Sequence, residues 1–126
     1  MRYQLAHRYA RTDENRPLIA MVTSQGNFYE SLGLLMKTGL VEPELALEMW
    51  SGNADSEWEN LMPVTAIYRR TGGDGLWENF EYLAVLSKDW LAAHPKGAYP
   101  SVTRRLEVKN EFLEADKQYA SSLAPA

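Results

Sequence analysis

A glycine-rich stretch between two apolar segments is the first place in this sequence where chemistry could be built. Residues 69–80 read RRTGGDGLWENF, with two arginines ahead of three glycines. Glycine-rich loops that precede a helix hold phosphates, but this stretch matches neither the Walker pattern nor GxGxxG. It therefore predicts that one helix ends at Gly72 and that Asp74 caps the next one near Gly75. An anion site at the new helix N-terminus is the alternative.

Other chemistry-bearing residues are sparse or unspecific. His7 and His94 are the only histidines, there is no cysteine, and no ExxH pair occurs, so we predict no metal site and no cofactor. Seventeen acidic residues make carboxylate pairs such as Glu57 with Glu59 unavoidable in a helical protein. No serine lies in a GxSxG setting. The residue types and their spacing argue against an enzymatic function, and no catalytic residue is predicted.

Length and charge exclude further classes of function. A chain of 126 residues is long enough for one domain, which we expect to span residues 1–126. The net charge of -4 argues against a nucleic-acid partner. The longest apolar runs, LIAMV and YLAVL, are far too short for a membrane span, and the N-terminus has no secretory h-region. The expected location is the cytoplasm.

The elements that would position these residues all have helical spacing. One helix is predicted from about Pro17 to Thr38, ending at a left-handed Gly39, with a short strand at residues 18–23 as the rival interpretation. Its expected inward face consists of large apolar residues: Met21, Phe28, Leu32, Leu35 and Met36. A short helix follows from Pro43 to near Gly52. The next segment, SEWENLMPVTAIYRR, contains Pro63, which must kink or split its helix.

The second half of the chain continues this pattern. Residues 76–93 predict another helix, the polar stretch HPKGAYP breaks the chain, and Ser101 is expected to cap a last helix. The end of the chain, about residues 121–126, should fray. No strand signal is present. The predicted fold is therefore all-α, an irregular bundle of five or six helices without a sheet.

Aromatic and apolar residues exceed what one small bundle readily hides. Four tryptophans lie on different predicted helices, and the last helix and the 76–93 helix are apolar over more than a third of their circumference. Either another protein or a second copy covers these faces, or they line a pocket. The predicted function is an interaction or self-association module, with a homodimer or another protein as partner. The alternative is a small-molecule domain with an aromatic-lined pocket between helices.

Part of the chain resembles a known family. The segments GNFYESLGLLMKTGLVEPEL, SEWENLMPVTAIYRR and WENFEYLA, within about residues 26–84, are similar to a family of uncharacterised bacterial all-helical domains. Members are often attached behind transmembrane helices, which this chain lacks. The positions that carry the likeness are Asn27, Phe28, Glu30, Gly39, Trp58 and Arg69. The resemblance implies no chemistry.

Four of these positions are candidate binding residues, Asn27, Glu30, Trp58 and Arg69, and Arg70 joins them as an alternative partner of Glu30. We predict that Glu30 pairs with Arg69 or Arg70 inside or at the rim of the bundle, and that Asn27 caps a nearby backbone group. Such a pair would fix helix register more than it would add stability. The alternative is that Glu30 and Arg69 close a ligand pocket.

Overall fold

Four helices form the part of the chain that the computed structural model describes, residues 7–123. They are α1 (Arg16–Lys37), α2 (Pro43–Gly72), α3 (Glu78–Ala93) and α4 (Glu111–Ser122). No strand occurs in these described residues, so the all-α prediction is confirmed. The expected number of five or six helices is wrong. The main reason is that the short helix predicted from Pro43 and the helix predicted after it form one continuous helix, α2.

Helix α1 lies within two residues of its predicted bounds. Pro17 stands in its first turn, and Gly39 follows its end with a φ of 80°. The rival strand at residues 18–23 is wrong. Of the predicted inward residues, Met36 is buried and Leu32 packs partly buried against the core, whereas Met21, Phe28 and Leu35 are exposed. The buried stripe consists of Val22, Gly26, Tyr29, Gly33 and Met36. The stripe is rotated because two glycines allow a neighbouring helix to approach closest on that side.

Helix α2 runs unbroken for 30 residues. The Glu42 side chain caps its start by accepting hydrogen bonds from the backbone N–H groups of Glu44 and Leu45, at 3.1 and 2.8 Å. Gly52 does not end the helix. It lies on the exposed side, while Ser51 and Ala54 are buried on the other. Burial on both sides of the glycine outweighs a helix-propensity cost of about 1 kcal/mol.

Pro63 does not split α2. The Leu61 and Val64 side chains, on either side of the proline, are buried and anchor the helix before and after it. The Thr65 hydroxyl donates to the Leu61 carbonyl oxygen at 2.7 Å, a further hydrogen bond within the helix next to the proline.

Helix α3 is the centre of the bundle. It packs extensively against both α1 and α2, which meet each other over a smaller area. Phe80 and Leu83 of α3 are fully buried. At the surface, Lys88 of α3 donates to Asp55 and Glu59 of α2, and these hydrogen bonds raise the pKa of the lysine ammonium. In the first turn of α3, Phe80 contacts Tyr29 of α1 and Trp58 of α2, so the three helices meet at this turn.

The chain beyond α3 packs differently. The last helix begins at Glu111 instead of after Ser101, because the preceding residues include the β-branched Val102, Thr103 and Val108 and bury nothing. In the described residues, α4 contacts none of the other helices. It continues to Ser122, and residues 124–126 lie outside the described chain, so the fraying of the chain end stays a prediction. None of the helices in residues 7–123 could cross a membrane.

Candidate functional site

Glu30 of α1 caps the N-terminus of α3. One carboxylate oxygen accepts a hydrogen bond from the Asn79 side-chain amide at 2.8 Å, and the other accepts from the Phe80 backbone N–H at 2.8 Å. A carboxylate at this position satisfies an unpaired backbone donor and interacts favourably with the positive end of the helix dipole. The anion position at the start of α3 is therefore filled by a side chain of the protein itself.

Trp77 packs against α1 at the same N-terminus of α3. It is the N-cap residue of α3, with a left-handed φ of 54°, and its side chain is 5% exposed. Its indole N–H donates to the Asn27 side-chain oxygen at 3.1 Å. Asp74 was expected to cap this helix and does not. Leu76 and Trp77 lengthen the loop, so the helix begins three residues later than predicted.

Two glycines of α1 make this contact sterically feasible. The Trp77 ring covers Gly26, where an added Cβ would come within 2.5 Å of three ring atoms. A Cβ at Gly33 would lie 2.7 Å from the Asn79 carbonyl carbon and closer still to its oxygen. Gly26 and Gly33 lie seven residues apart on one face of α1. Asn27 and Glu30 lie beside this face. We call Gly26, Asn27, Glu30, Gly33, Trp77, Asn79 and Phe80 the α3 cap cluster.

The predicted pair between Glu30 and an arginine is wrong. Arg69 donates instead to Glu81 of α3 at 2.7 Å and, through Nε, to the Leu76 carbonyl oxygen at 2.9 Å. Its guanidinium also lies 5.8 Å from the centroid of the Trp58 ring. Both carboxylate oxygens of Glu30 accept hydrogen bonds at the start of α3 instead. Opposite charge alone does not predict such a partner. Arg70 is exposed and stays outside the cluster.

Arg69→Ala is expected to lower the free energy of unfolding by about 1–2 kcal/mol, because it removes two hydrogen bonds and leaves the Leu76 carbonyl without its donor. Arg70→Ala is the matched control and should stay within about 0.5 kcal/mol of the unaltered chain, since its side chain is exposed. Urea unfolding followed by circular dichroism measures both. Equal losses for the two variants would contradict this account of Arg69.

Aromatic rings surround the cap cluster. Tyr29 stacks on Phe80 with ring centroids 5.1 Å apart, and Trp58 meets Phe80 edge-on at 5.2 Å. Burial raises the pKa of the Tyr29 phenol, and the negative charge of Glu57 adds to that shift. The phenol is therefore neutral at physiological pH. Because the polar groups of Asn27 and Glu30 bind other groups of the chain, the arrangement is suited to holding α3 in place.

Four of the five sequence-predicted residues thus lie around the first turn of α3, and Arg70 does not. The partners of Asn27 and Glu30, which are Trp77, Asn79 and Phe80, and the role of the two glycines were not predicted from the sequence. The glycine pair at a spacing of seven was a readable sign of close helix approach on that face. Nothing in the residue pattern indicated that a tryptophan would serve as the N-cap of α3.

A cleft of about 580 Å³ lies elsewhere, between α2, the end of α3 and the loop after it. Trp90 and Tyr99 line it together with Lys96 and Arg105. The Trp90 indole N–H is buried and has no partner among the described residues. An aromatic-lined pocket was expected to be closed by Glu30 and Arg69, but neither residue lines this cleft.

Two apolar surfaces are exposed outside the cluster. On α1, the Met21, Phe28 and Leu35 side chains are 52%, 47% and 37% exposed. On α4 and its C-cap residue Leu123, four large apolar side chains are between 60% and 70% exposed: Phe112, Leu113, Tyr119 and Leu123. Isolated exposed apolar residues are normal on a protein surface, but several on one helix side indicate contact with another molecule.

Comparison with known proteins places the three-helix part in a family. No curated protein and no solved structure matches the chain. A family model described as a domain of unknown function, DUF4760, matches residues 3–90, which include α1, α2 and most of α3. The matched range contains the resembling segment of residues 26–84 and every member of the cap cluster. The chain therefore belongs to the DUF4760 family of uncharacterised domains.

Proposed function

We propose that this domain is a helical interaction module that associates with a second copy of itself. The observation that carries the proposal is the exposed side of α1. The helix contains 22 residues, and Glu30 is the only charged residue between its two ends, Arg16 and Lys37. Glu30 is itself engaged with α3. The surface that α1 turns to solvent is therefore uncharged for about six turns.

The other helices differ from α1 in this respect. The exposed positions of α2 include Glu44, Glu48 and Glu59, and those of α3 include Glu78 and Asp89. Depletion of charge with enrichment in phenylalanine and methionine characterises the centre of protein interfaces. Helix α4 adds support, because a 12-residue helix that buries nothing is marginally stable in water and gains from a protein partner.

Light scattering on a sizing column, over a hundredfold range of protein concentration, tests the proposal. The apparent molar mass is expected to rise from 14.3 kDa toward twice that value as concentration increases. The same change should disappear on dilution, since one exposed helix side supports a reversible complex. A mass that stays at 14.3 kDa across the range would refute self-association.

A second function, binding of a small molecule, has one supporting observation in the cleft beside Trp90. Its volume lies within the range of about 300–1,000 Å³ that ligand pockets occupy, and Lys96 and Arg105 give it cationic walls. We place this function second because the cleft is formed partly by a loop that buries little. A thermal-shift screen tests it, with Tyr99→Ala as the control: a ligand of the cleft stabilises the unaltered chain and not the variant.

A further inference from the structure

We infer that α1 is the dimer contact and that it pairs with α1 of a second copy in antiparallel orientation. The inference rests on the proposed self-association and specifies its surface. Six exposed residues define what we call the α1 seam: Pro17, Met21, Ser24, Phe28, Ser31 and Leu35. Their alternating spacing of four and three residues is the spacing by which two helices pack along a continuous line.

The seam lies on the side of α1 away from α3. Gly26 and Gly33, which contact α3, belong to the opposite stripe of the helix. Phe28 touches Trp50 of α2 with one edge, at a centroid distance of 5.1 Å, and remains half-exposed on the other. A second helix can therefore lie along the seam without displacing any part of the three-helix core.

The alternation of large and small residues selects the orientation. In a parallel pair, Phe28 would meet Phe28 of the partner subunit, while the serines would face each other across a gap. In an antiparallel pair centred on residue 26, Ser24 faces Phe28 of the partner subunit. Met21 then faces Ser31 of the partner subunit. Each layer contains one large and one small residue, which fills the space evenly.

The size of the contact predicts a weak dimer. A helix of 22 residues is about 33 Å long. One helix pair of that length lies near or below the roughly 1,000 Å² that a specific interface buries. We expect a dissociation constant in the micromolar range, within reach of dilution experiments.

The double variant Ser24→Glu with Ser31→Glu tests the seam. It places carboxylates opposite Phe28 and Met21 of the partner subunit, where they cannot be hydrated, and we expect the dissociation constant to rise at least 100-fold. The matched control is Ser56→Glu with Ser101→Glu, which adds the same charge at exposed serines outside α1. All four positions are exposed, so both variants should keep the helical circular dichroism of the unaltered chain at low concentration.

The outcomes separate this inference from the proposed function. A dimer that survives the seam variant overturns the inference and leaves self-association standing. A dimer weakened equally by the control also overturns it, because added charge alone would then be the cause. If the unaltered chain is monomeric throughout, both proposals are refuted. Loss of the dimer in the seam variant alone supports them.

A distance measurement tests the orientation. The chain has no cysteine, so Thr38→Cys carries one spin label per protomer just beyond α1. In the antiparallel pair, the two labels lie about 36 Å apart along the helix axis. In a parallel pair, they would be separated mainly by an interaxial distance of about 10 Å plus the label arms. A short distance in pulsed electron resonance would overturn the antiparallel arrangement.

Discussion

Gly33→Ala is expected to lower the free energy of unfolding by about 2 kcal/mol. The added Cβ would lie 2.7 Å from the Asn79 carbonyl carbon, which belongs to the backbone and has no flexible end to move. Helix α1 and the first turn of α3 must therefore separate. That movement also lengthens the two hydrogen bonds of Glu30 to α3, so the loss extends beyond the local overlap.

Gly52→Ala is the matched control for this substitution. Gly52 also lies inside a helix, but an added Cβ meets nothing within 4 Å. Alanine should therefore raise the free energy of unfolding by roughly 0.5–1 kcal/mol through helix propensity alone. Urea unfolding of the two variants separates steric overlap from propensity. If Gly33→Ala stabilised the chain as Gly52→Ala does, the close approach of α1 and α3 would be wrong.

Glu30→Ala should destabilise the domain by about 2–3 kcal/mol. The substitution removes a charged acceptor and leaves the Phe80 N–H unpaired at a part-buried helix start. Glu30→Gln should have an intermediate effect, because its side-chain oxygen can still accept from Phe80 while its amide group faces the amide of Asn79. Hydrogen exchange at the Phe80 amide is expected to accelerate in the same order.

Glu48→Ala serves as the control for the loss of a carboxylate. Glu48 is exposed on α2, so its replacement should change the free energy of unfolding by no more than about 0.5 kcal/mol. The capping role of Glu30 would be contradicted if Glu30→Ala matched this control, or if the Phe80 amide exchanged at an unchanged rate.

The helix ends were predicted from glycine and proline residues, and these predictions succeeded for α1 but not within α2. Pro17 and Gly39 mark the ends of α1 by their own backbone preferences, and the structure places that helix within two residues of the expectation. Gly52 and Pro63 suggest breaks in α2 by the same preferences, yet buried residues on both sides keep it continuous. Local propensity predicts an end correctly only where tertiary packing does not oppose it.

The sequence identified residues of the candidate site but did not predict which groups they contact. Asn27 and Glu30 were singled out because they carry the family resemblance, and both side chains form hydrogen bonds with residues at the start of α3. Arg69 or Arg70 was the expected partner of Glu30 because opposite charges attract. The actual partners are an amide side chain and a backbone N–H, whose position depends on how the loop before α3 turns. A ligand-binding role for these residues stays a prediction.

The measurement that tests the central claim most directly is nuclear magnetic resonance of methyl-labelled methionines during dilution. Met21 lies in the α1 seam, Met36 is buried in the core, and Met49 is exposed on α2. If a second copy covers the outer side of α1, the Met21 methyl resonance shifts with concentration while those of Met36 and Met49 stay in place. A Met21 resonance that does not move across a hundredfold dilution, or a shift confined to Met49, would contradict the account.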